Sequence, residues 1–167
     1  ASLKKTASTP SSGSLKPATR RFIQTPTPGL MKDFLKQIPA RDFENAFQIG
    51  YRVYSWASLP KEDLEGLLHH LKPVYLGVHL GDEKKNRIEP EHPLALSLSK
   101  TEAKNWPGAE LNEEQATAYL RGQEIKLPGF KEKGFHLACY QGFPLGFGKI
   151  SEGRLKNLFP KSLRHKL

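Results

Sequence analysis

The sequence has few features of secreted or membrane proteins. Its 167 residues include a single cysteine, Cys139, so an internal disulfide framework is excluded, as is typical of the reducing cytoplasm. The apolar runs at 73–80 and 94–98 are far shorter than the roughly 20 residues that a membrane-spanning helix needs. Residues 1–29 contain no apolar stretch of the kind found in secretory signals. We therefore expect a cytoplasmic, globular protein with no membrane partner.

Acidic residues are missing from one end of the chain and nearly missing from the other. Residues 1–29 contain five basic residues and no acid, and residues 142–167 contain six basic residues against Glu152 alone. The net charge of +9 therefore lies at the two ends, because residues 30–141 have a net charge of −1. Clustered basic charge of this kind is typical of proteins that bind polyanions. For the N-terminal cluster, a solvated tail that only aids solubility is the alternative.

Composition divides the chain into three parts. Residues 1–29 are rich in proline, serine and threonine and have few large apolar groups, which predicts a flexible basic linker. We expect this linker to tether the rest to something outside the sequence, because Ala1 stands where an initiator methionine would be. Residues 30–100 are predicted to form a small mixed αβ domain, and residues 101–167 a second domain.

The first domain alternates helical and extended patterns. Leu30, Phe34 and Ile38 are four residues apart, which predicts a short helix that Pro39 ends. The remaining patterns predict a strand at 51–57, a helix at 58–71, a strand at 74–81, a charged turn at 82–86 and a short element at 91–99 that favours helix. In the helix at 58–71, Ser58 is the candidate cap, and the predicted apolar face consists of Leu64, Leu67, Leu68 and Leu71.

The second domain is predicted to contain one capped helix and a hairpin. Asn112 and Gln115 have the spacing of a capping box at the start of a helix over 111–123, which Gly122 is placed to end. Strands at 134–141 and 144–150 are predicted to form a hairpin with a tight turn at Gln141 and Gly142. Residues 153–163 are too short and too interrupted by proline for a long helix.

Three glycines near the C-terminus raise the question of a nucleotide-binding loop. Gly142, Gly146 and Gly148 are spaced G-x-x-x-G-x-G, which matches neither G-x-G-x-x-G nor the P-loop, and they lie in or beside a predicted strand. A glycine inside a strand indicates a bulge or the close approach of another backbone. We therefore reject a nucleotide site and expect a backbone, such as the phosphate backbone of a nucleic acid, to approach here.

The sequence offers no convincing catalytic or metal site. Cys139 lies among apolar residues of a predicted strand, which favours a buried, inert thiol. The six histidines have neither cysteine partners nor the H-E-x-x-H pattern. The acidic pairs at 62–63 and 113–114 fall in first helical turns, where they complement the helix dipole. We predict no catalytic residue, no cofactor and no metal in this chain.

The basic and aromatic residues near the C-terminus are the candidate nucleic-acid contacts. Lysine and arginine bind phosphates, and aromatic rings stack on unpaired bases. Both phenylalanines of this set fit the alternation of a core equally well, so a core role stays open for them. The predicted RNA-binding residues are Lys149, Arg154, Lys156, Asn157, Lys161, Arg164, Phe143 and Phe147.

The order of these motifs resembles a known family. "ELNEEQATAYLRGQEI", then "YQGFPLGFGK" and then "GRLKNLFPKSLR" are similar to the PUA-like C-terminal domain of RsmF-type small-subunit rRNA (cytosine-5) methyltransferases, over about residues 105–165. "YRVYSWA" and "LLHHLKPVYLGVHLGDEKKNRIEPEHPLALSL" resemble, more loosely, the small domain that precedes it. The resemblance implies an α+β fold in which a small mixed αβ module is followed by a PUA-like β-barrel with flanking helices.

The resemblance also implies what the chain binds. The expected partners are small-subunit ribosomal RNA and the catalytic domain of the same protein, which would hold S-adenosylmethionine. No doubly wound cofactor domain fits within these 167 residues, and Cys139 follows Ala138 and not the proline of the family's catalytic motif. We therefore expect a non-enzymatic region that positions RNA. The alternatives are a structural module that docks on the catalytic domain or an acidic partner and, less favoured, a small enzyme.

Overall fold

The computed structural model describes residues 23–36, 46–56, 60–70 and 76–165, which form two five-stranded sheets with short helices. The strands are β1 (Ile23–Gln24), β2 (Ala46–Ile49), β3 (Arg52–Ser55), β4 (Val78–Lys84), β5 (Arg87–Pro90), β6 (Gly108–Glu110), β7 (Ile125–Lys126), β8 (Gly134–Tyr140), β9 (Phe143–Ser151) and β10 (Arg154–Asn157). The α-helices are α1 (Pro28–Leu35), α2 (Lys61–His70), α3 (His92–Ser97), α4 (Lys100–Ala103) and α5 (Glu113–Leu120), and a 3₁₀ helix covers Lys161–Leu163. The predicted α+β class is confirmed.

The first sheet is an antiparallel meander in the order β1-β2-β3-β4-β5. The strand predicted at 74–81 begins later, at Val78, and extends further, to Lys84. It extends because Asp82 pairs with Arg52 of β3 and Lys84 pairs with Arg87 of β5. The predicted turn therefore shortens to Lys85 and Asn86. Cross-strand pairing, which is not visible in local sequence, extends the strand through its charged residues.

The helices of the first domain lie where they were predicted, with one difference in their packing. Phe34 of α1 and Leu64 of α2 are buried, and the element at 91–99 is helical, as α3. Leu67 was expected on the buried face of α2, but it is 41% exposed, so this prediction is wrong. Of the residues on this helix, Leu64 packs fully and Leu68 partly against the cluster that the helix shares with the first sheet. The predictions for Ile38, Pro39, Ser58 and Leu71 lie outside the described residues.

The second sheet curls into a half-barrel with the strand order β6-β8-β9-β10-β7. Strand β6 runs parallel to β8, and the other neighbours are antiparallel. The capping box of Asn112 and Gln115 is confirmed, and Gly122, at φ +82°, follows the end of α5. The hairpin is also confirmed, because Gln141 and Gly142 both have positive φ and connect β8 to β9.

Two hydrophobic clusters cover opposite faces of the second sheet. One contains Ala138, Ile150 and Leu155 with Tyr119 of α5. The other contains residues of both sheets, among them Val53, Leu80, Leu94, Trp106, Leu137, Cys139 and Phe147. The first sheet and its helices therefore pack on part of one face of the second sheet. Within the described part of the chain, no helix is long and apolar enough to cross a membrane.

Candidate nucleic-acid interface

Two rows of side chains cross the uncovered part of the second sheet. In the first row, Phe135 of β8 pairs with Lys149 of β9, which pairs with Lys156 of β10. Directly paired residues point to the same face of a sheet. The register therefore brings two cations and one aromatic ring together, although they are up to 21 positions apart in the sequence.

The second row adds two more cations on the same face. Arg154 of β10 pairs with Lys126 of β7 on one side and with Ser151 of β9 on the other. Since Arg154 and Lys156 are two apart in one strand, they share this face. We call the resulting surface the basic face, which consists of Lys126, Phe135, Lys149, Arg154 and Lys156. Its four cations are all exposed.

Acidic residues only partly offset the charge of the basic face. Arg154 lies 3.6 Å from Glu124, and both side chains are more than half exposed, so this ion pair is weak. The Lys149 ammonium lies 5.8 Å from the centre of the Phe135 ring, within the range of a cation–π contact. The basic face can therefore contact several phosphates while it offers an aromatic edge to a base.

The remainder of this face is covered, and this explains Phe147. Phe147 points the same way as Lys149, but it packs 5.0 Å from the Trp106 ring, centre to centre, and is only 2% exposed. Its ring has no free surface on which a base could stack. The prediction that Phe147 contacts RNA is therefore corrected in favour of the core alternative, because Trp106 and the helices α3 and α4 cover this end of the face.

Asn157 points to the face of the sheet opposite the basic face, where its side chain bonds to other parts of the protein. Its Nδ2 donates to the carbonyl oxygens of Tyr119 and Gln123 at 2.7 and 2.8 Å, and its Oδ1 accepts from the Phe159 N–H at 2.8 Å. Both amide hydrogens are used inside the protein. Its prediction as an RNA contact is corrected, since the side chain fixes β10 and the chain after it to the end of α5.

Arg164 and Lys161 lie after β10, beyond the basic face. Arg164 is half-buried, and its Nε and Nη2 donate to the Phe159 carbonyl at 3.2 and 3.1 Å. Its guanidinium also lies beside Gly122, where a side chain on that residue would collide with it. Lys161 is exposed in the 3₁₀ helix. Both stay predictions as RNA contacts.

Phe143 is exposed but lies apart from the basic face. It begins β9, and the six residues that separate it from Lys149 correspond to about 20 Å of strand. The ring is 56% exposed, and the Lys100 ammonium lies 3.6 Å from its centre. Phe143 remains a predicted contact, at the hairpin tip and away from the cations of the basic face.

The strand glycines accommodate protein atoms, not a phosphate backbone. A β carbon at Gly146 would lie 2.5 Å from the Tyr119 hydroxyl and 3.1 Å from Nδ1 of His92. At Gly148 it would collide with the Leu155 side chain. The predicted bulge is confirmed by the register shift beside Gly146. The expectation that a nucleic acid approaches here is wrong, because the protein core fills the space.

A cleft of about 280 Å³ lies where the basic face meets the first sheet. Glu91 and His92 line it together with Lys149 and Lys156. Burial, with a contribution from the charge of Asp82, raises the pKa of Glu91, and burial lowers the pKa of His92. Both shifts favour the uncharged side chain. Burial therefore disfavours the ionised forms of Glu91 and His92 in the cleft that Lys149 and Lys156 also line.

Cys139 is buried, as the sequence predicts. Burial, with a smaller contribution from Glu110, raises the pKa of its thiol to about 11, so the thiol is protonated at neutral pH. Within the described ranges, no group of three or more histidine, cysteine, aspartate or glutamate residues could hold a metal ion.

Sequence reasoning did not select two members of the basic face. Phe135 and Lys126 lie in different strands from the other three, and Lys126 belongs to a strand of two residues. Alternation along 134–140 could have placed Phe135 and His136 on different faces of their strand. It does not say which strand lies next to Phe135. Only the register identifies Phe135 and Lys126 as neighbours of Lys149 and Arg154.

Two family models match successive parts of the chain. The model described as the RsmF rRNA methyltransferase first C-terminal domain matches residues 33–98, and the model described as the methyltransferase RsmF PUA domain matches residues 108–165. The half-barrel that carries the basic face is therefore a PUA domain, and a small αβ domain precedes it. The chain is therefore of the class in which a small αβ domain is followed by a PUA domain, in a family of RNA-modifying enzymes.

Full-length relatives point to the same family. The chain is similar to the proteins named ribosomal RNA small subunit methyltransferase F of Shewanella oneidensis, at 36% identity over 53% of this chain, and of Aliivibrio fischeri strain ES114, at 32% identity over 65%. The matched parts are 18% and 22% of those proteins, so the chain spans about a fifth of the length of the relatives it matches. Together with the two domain matches, this shows that the chain belongs to the RsmF family of rRNA methyltransferases and corresponds to its C-terminal region.

Proposed function

We propose that this chain is the RNA-binding C-terminal region of a small-subunit rRNA (cytosine-5) methyltransferase. In this proposal it positions ribosomal RNA for a catalytic domain that binds S-adenosylmethionine and is not part of the chain. The observation that carries the proposal is the basic face, on which four exposed cations and Phe135 share one side of the PUA sheet. The names of the relatives support ribosomal RNA as the ligand.

The proposed binding is mainly electrostatic. Exposed lysine and arginine side chains contact phosphates whatever the sequence of the RNA, so affinity falls as salt rises. Selectivity then comes from the shape of the RNA and from unpaired bases. The role of the chain is to hold and orient RNA, and the transfer of the methyl group takes place on the catalytic domain.

The test is a salt series of binding to a small-subunit rRNA fragment and to a control duplex. The variant is Lys149→Ala, Arg154→Ala and Lys156→Ala combined, and the matched control removes three exposed cations outside the basic face, Lys32, Lys104 and Arg121. We expect the first variant to bind rRNA more weakly and to lower the slope of log K against log salt by about 2, from about 0.7 per lost contact with single-stranded RNA. The control should change the slope less.

Other outcomes would redirect the proposal. If the native chain binds no RNA, the face serves docking on the catalytic domain or on an acidic partner. If both triple variants bind equally well while they stay folded, the cations of the basic face are not the contact surface. Methyl transfer from S-adenosylmethionine by this chain alone would contradict the assignment of catalysis to another domain.

A further inference from the structure

We infer that the RNA surface continues from the PUA sheet onto the first sheet, where Tyr51 forms a platform on which an unpaired base stacks. This inference rests on the proposed function and names a second contact site for the same RNA. The site lies at the ends of the β2–β3 and β4–β5 hairpins. We call it the hairpin patch, which consists of Tyr51, Arg52, Lys84, Lys85 and Arg87.

Tyr51 is an exposed aromatic residue with two cations near its ring. It is 53% exposed in the turn between β2 and β3, and its carbonyl oxygen accepts a hydrogen bond from the Glu83 N–H at 2.7 Å. The Arg52 guanidinium carbon lies 5.5 Å from the ring centre, and the Lys84 ammonium lies 5.4 Å from it. An aromatic ring beside cations is how proteins bind single strands, because the base stacks while the cations contact phosphates.

Arg87 connects the hairpin patch to the basic face. Lys84 and Arg87 pair across the two-residue turn of Lys85 and Asn86, and all four residues are exposed. The Arg87 guanidinium carbon lies 5.8 Å from the centre of the Phe135 ring. The Lys149 ammonium lies 5.8 Å from the same ring. Cations and rings therefore follow one another from Tyr51, through Lys84, Arg87 and Phe135, to Lys149 and Lys156.

Three carboxylates lie beside this path, and each makes at least one polar contact within the protein. Glu89 pairs with Arg87. Asp82 Oδ1 lies 2.9 Å from Nε2 of His79, and Glu83 Oε1 accepts a hydrogen bond from the Thr27 hydroxyl at 2.9 Å. Asp82 and Glu83 keep their negative charge in these contacts, and Asp82 is the cross-strand partner of Arg52. The four cations of the hairpin patch therefore exceed the three neighbouring carboxylates by one.

The geometry favours an unpaired segment over a duplex. In an A-form helix the base faces are stacked on one another and inaccessible, so a protein reads its shape, phosphates and 2′-hydroxyl groups. An exposed ring such as Tyr51 is useful only to a base whose face is free. We therefore expect the hairpin patch to add affinity for single-stranded RNA and little affinity for a duplex.

The test compares three variants of the full chain in binding to an unstructured single-stranded RNA of about 16 nucleotides, a length at the upper end of the sites that one domain covers. Tyr51→Ala removes the ring, Tyr51→Phe keeps it, and Leu96→Ala, at a residue that is 62% exposed in α3, controls for the loss of a surface apolar side chain. We expect Tyr51→Ala to weaken binding at least about fivefold, since a stacked base contributes about 1 kcal/mol or more. Tyr51→Phe and Leu96→Ala should bind as the native chain does.

Duplex binding and salt dependence complete the test. Tyr51→Ala should leave affinity for a duplex of equal length unchanged, and Lys84→Gln should lower the salt slope for the single strand by about 0.7. Thermal unfolding of each variant checks that it is folded.

Each alternative result has a distinct meaning. If Tyr51→Ala binds single-stranded RNA normally while loss of the basic-face cations abolishes binding, the hairpin patch is not a contact site and the proposed function stands. If Tyr51→Phe binds as weakly as Tyr51→Ala, the hydroxyl and not stacking is responsible, which overturns the platform. If the native chain binds no RNA at all, the proposed function itself has failed.

Discussion

At Gly146, the packing of neighbouring side chains leaves room only for glycine. The Tyr119 hydroxyl lies directly above it and donates a hydrogen bond to the Phe147 carbonyl at 2.8 Å. Burial raises the pKa of Tyr119, so the phenol stays protonated and remains a donor. The absence of a side chain at Gly146 is therefore what lets α5 approach β9 closely enough for this bond.

We expect Gly146→Ala to lower the free energy of unfolding by about 1–3 kcal/mol, because the added carbon overpacks the contact with Tyr119 at a φ of +155°. Gly66→Ala is the matched control, since Gly66 lies in α2 with no atom within 4 Å of the added carbon. That control should raise stability by about 0.5–1 kcal/mol. Urea unfolding of both variants measures the two changes, and equal effects would contradict the packing argument.

At the scale of elements, β9 passes through two environments within nine residues. Phe147 is covered by Trp106 and by the helices that lie against β9, whereas Lys149, on the same face, is open to solvent. The sequence predicted the strand and predicted Lys149 as a contact residue. It could not predict where the covered part of the face ends, because that depends on where Trp106 and the helices α3 and α4 pack on β9. For this reason Phe147 was a plausible RNA contact from the sequence and is a core residue in the structure.

Helix α5 is an element whose start the sequence specifies locally. The Asn112 side chain accepts from the Gln115 N–H at 2.9 Å, and the Gln115 side chain accepts from the Asn112 N–H at 3.1 Å. We expect Asn112→Ala to lower the free energy of unfolding by about 1 kcal/mol. Asn112→Asp should lower it much less, because the aspartate carboxylate also accepts a hydrogen bond from the backbone N–H groups at the start of the helix. Chemical unfolding of the two variants tests this. Equal losses in both would show that the cap is not the stabilising feature.

At the scale of the whole molecule, one core cluster connects the two sheets. Trp106 packs against Phe34 of α1, with ring centres 6.1 Å apart, and against Phe147 of the second sheet at 5.0 Å. Ring contacts of this kind add to the stabilisation from buried area. The first domain therefore shares buried surface with the PUA domain, and the hairpin patch and the basic face are held on one continuous body.

We expect the two sheets to unfold together. In a urea titration, the fluorescence of Trp56, measured in a Trp106→Phe variant, reports on the first sheet, and amide exchange in β9 reports on the second. The two midpoints should coincide, because neither sheet can lose its partner without exposing the shared cluster. Trp106→Ala should lower the free energy of unfolding by about 3–5 kcal/mol, because it leaves a cavity between the two sheets. Two separate transitions in the Trp106→Phe variant would show that the sheets are independently stable.

The sequence by itself determined the basic C-terminal end, the capped helix α5, the hairpin of β8 and β9 with its turn, and the family resemblance. These features depend on residues close together in the chain, where capping, alternation and turn preference act. The tertiary structure alone decided that Phe135 and Lys126 join Lys149, Arg154 and Lys156, that Phe147 and Asn157 turn inward, and that Arg87 of the first sheet lies beside Phe135 of the second. Strand register and the packing of one sheet on another depend on contacts between distant segments, and no local pattern contains them.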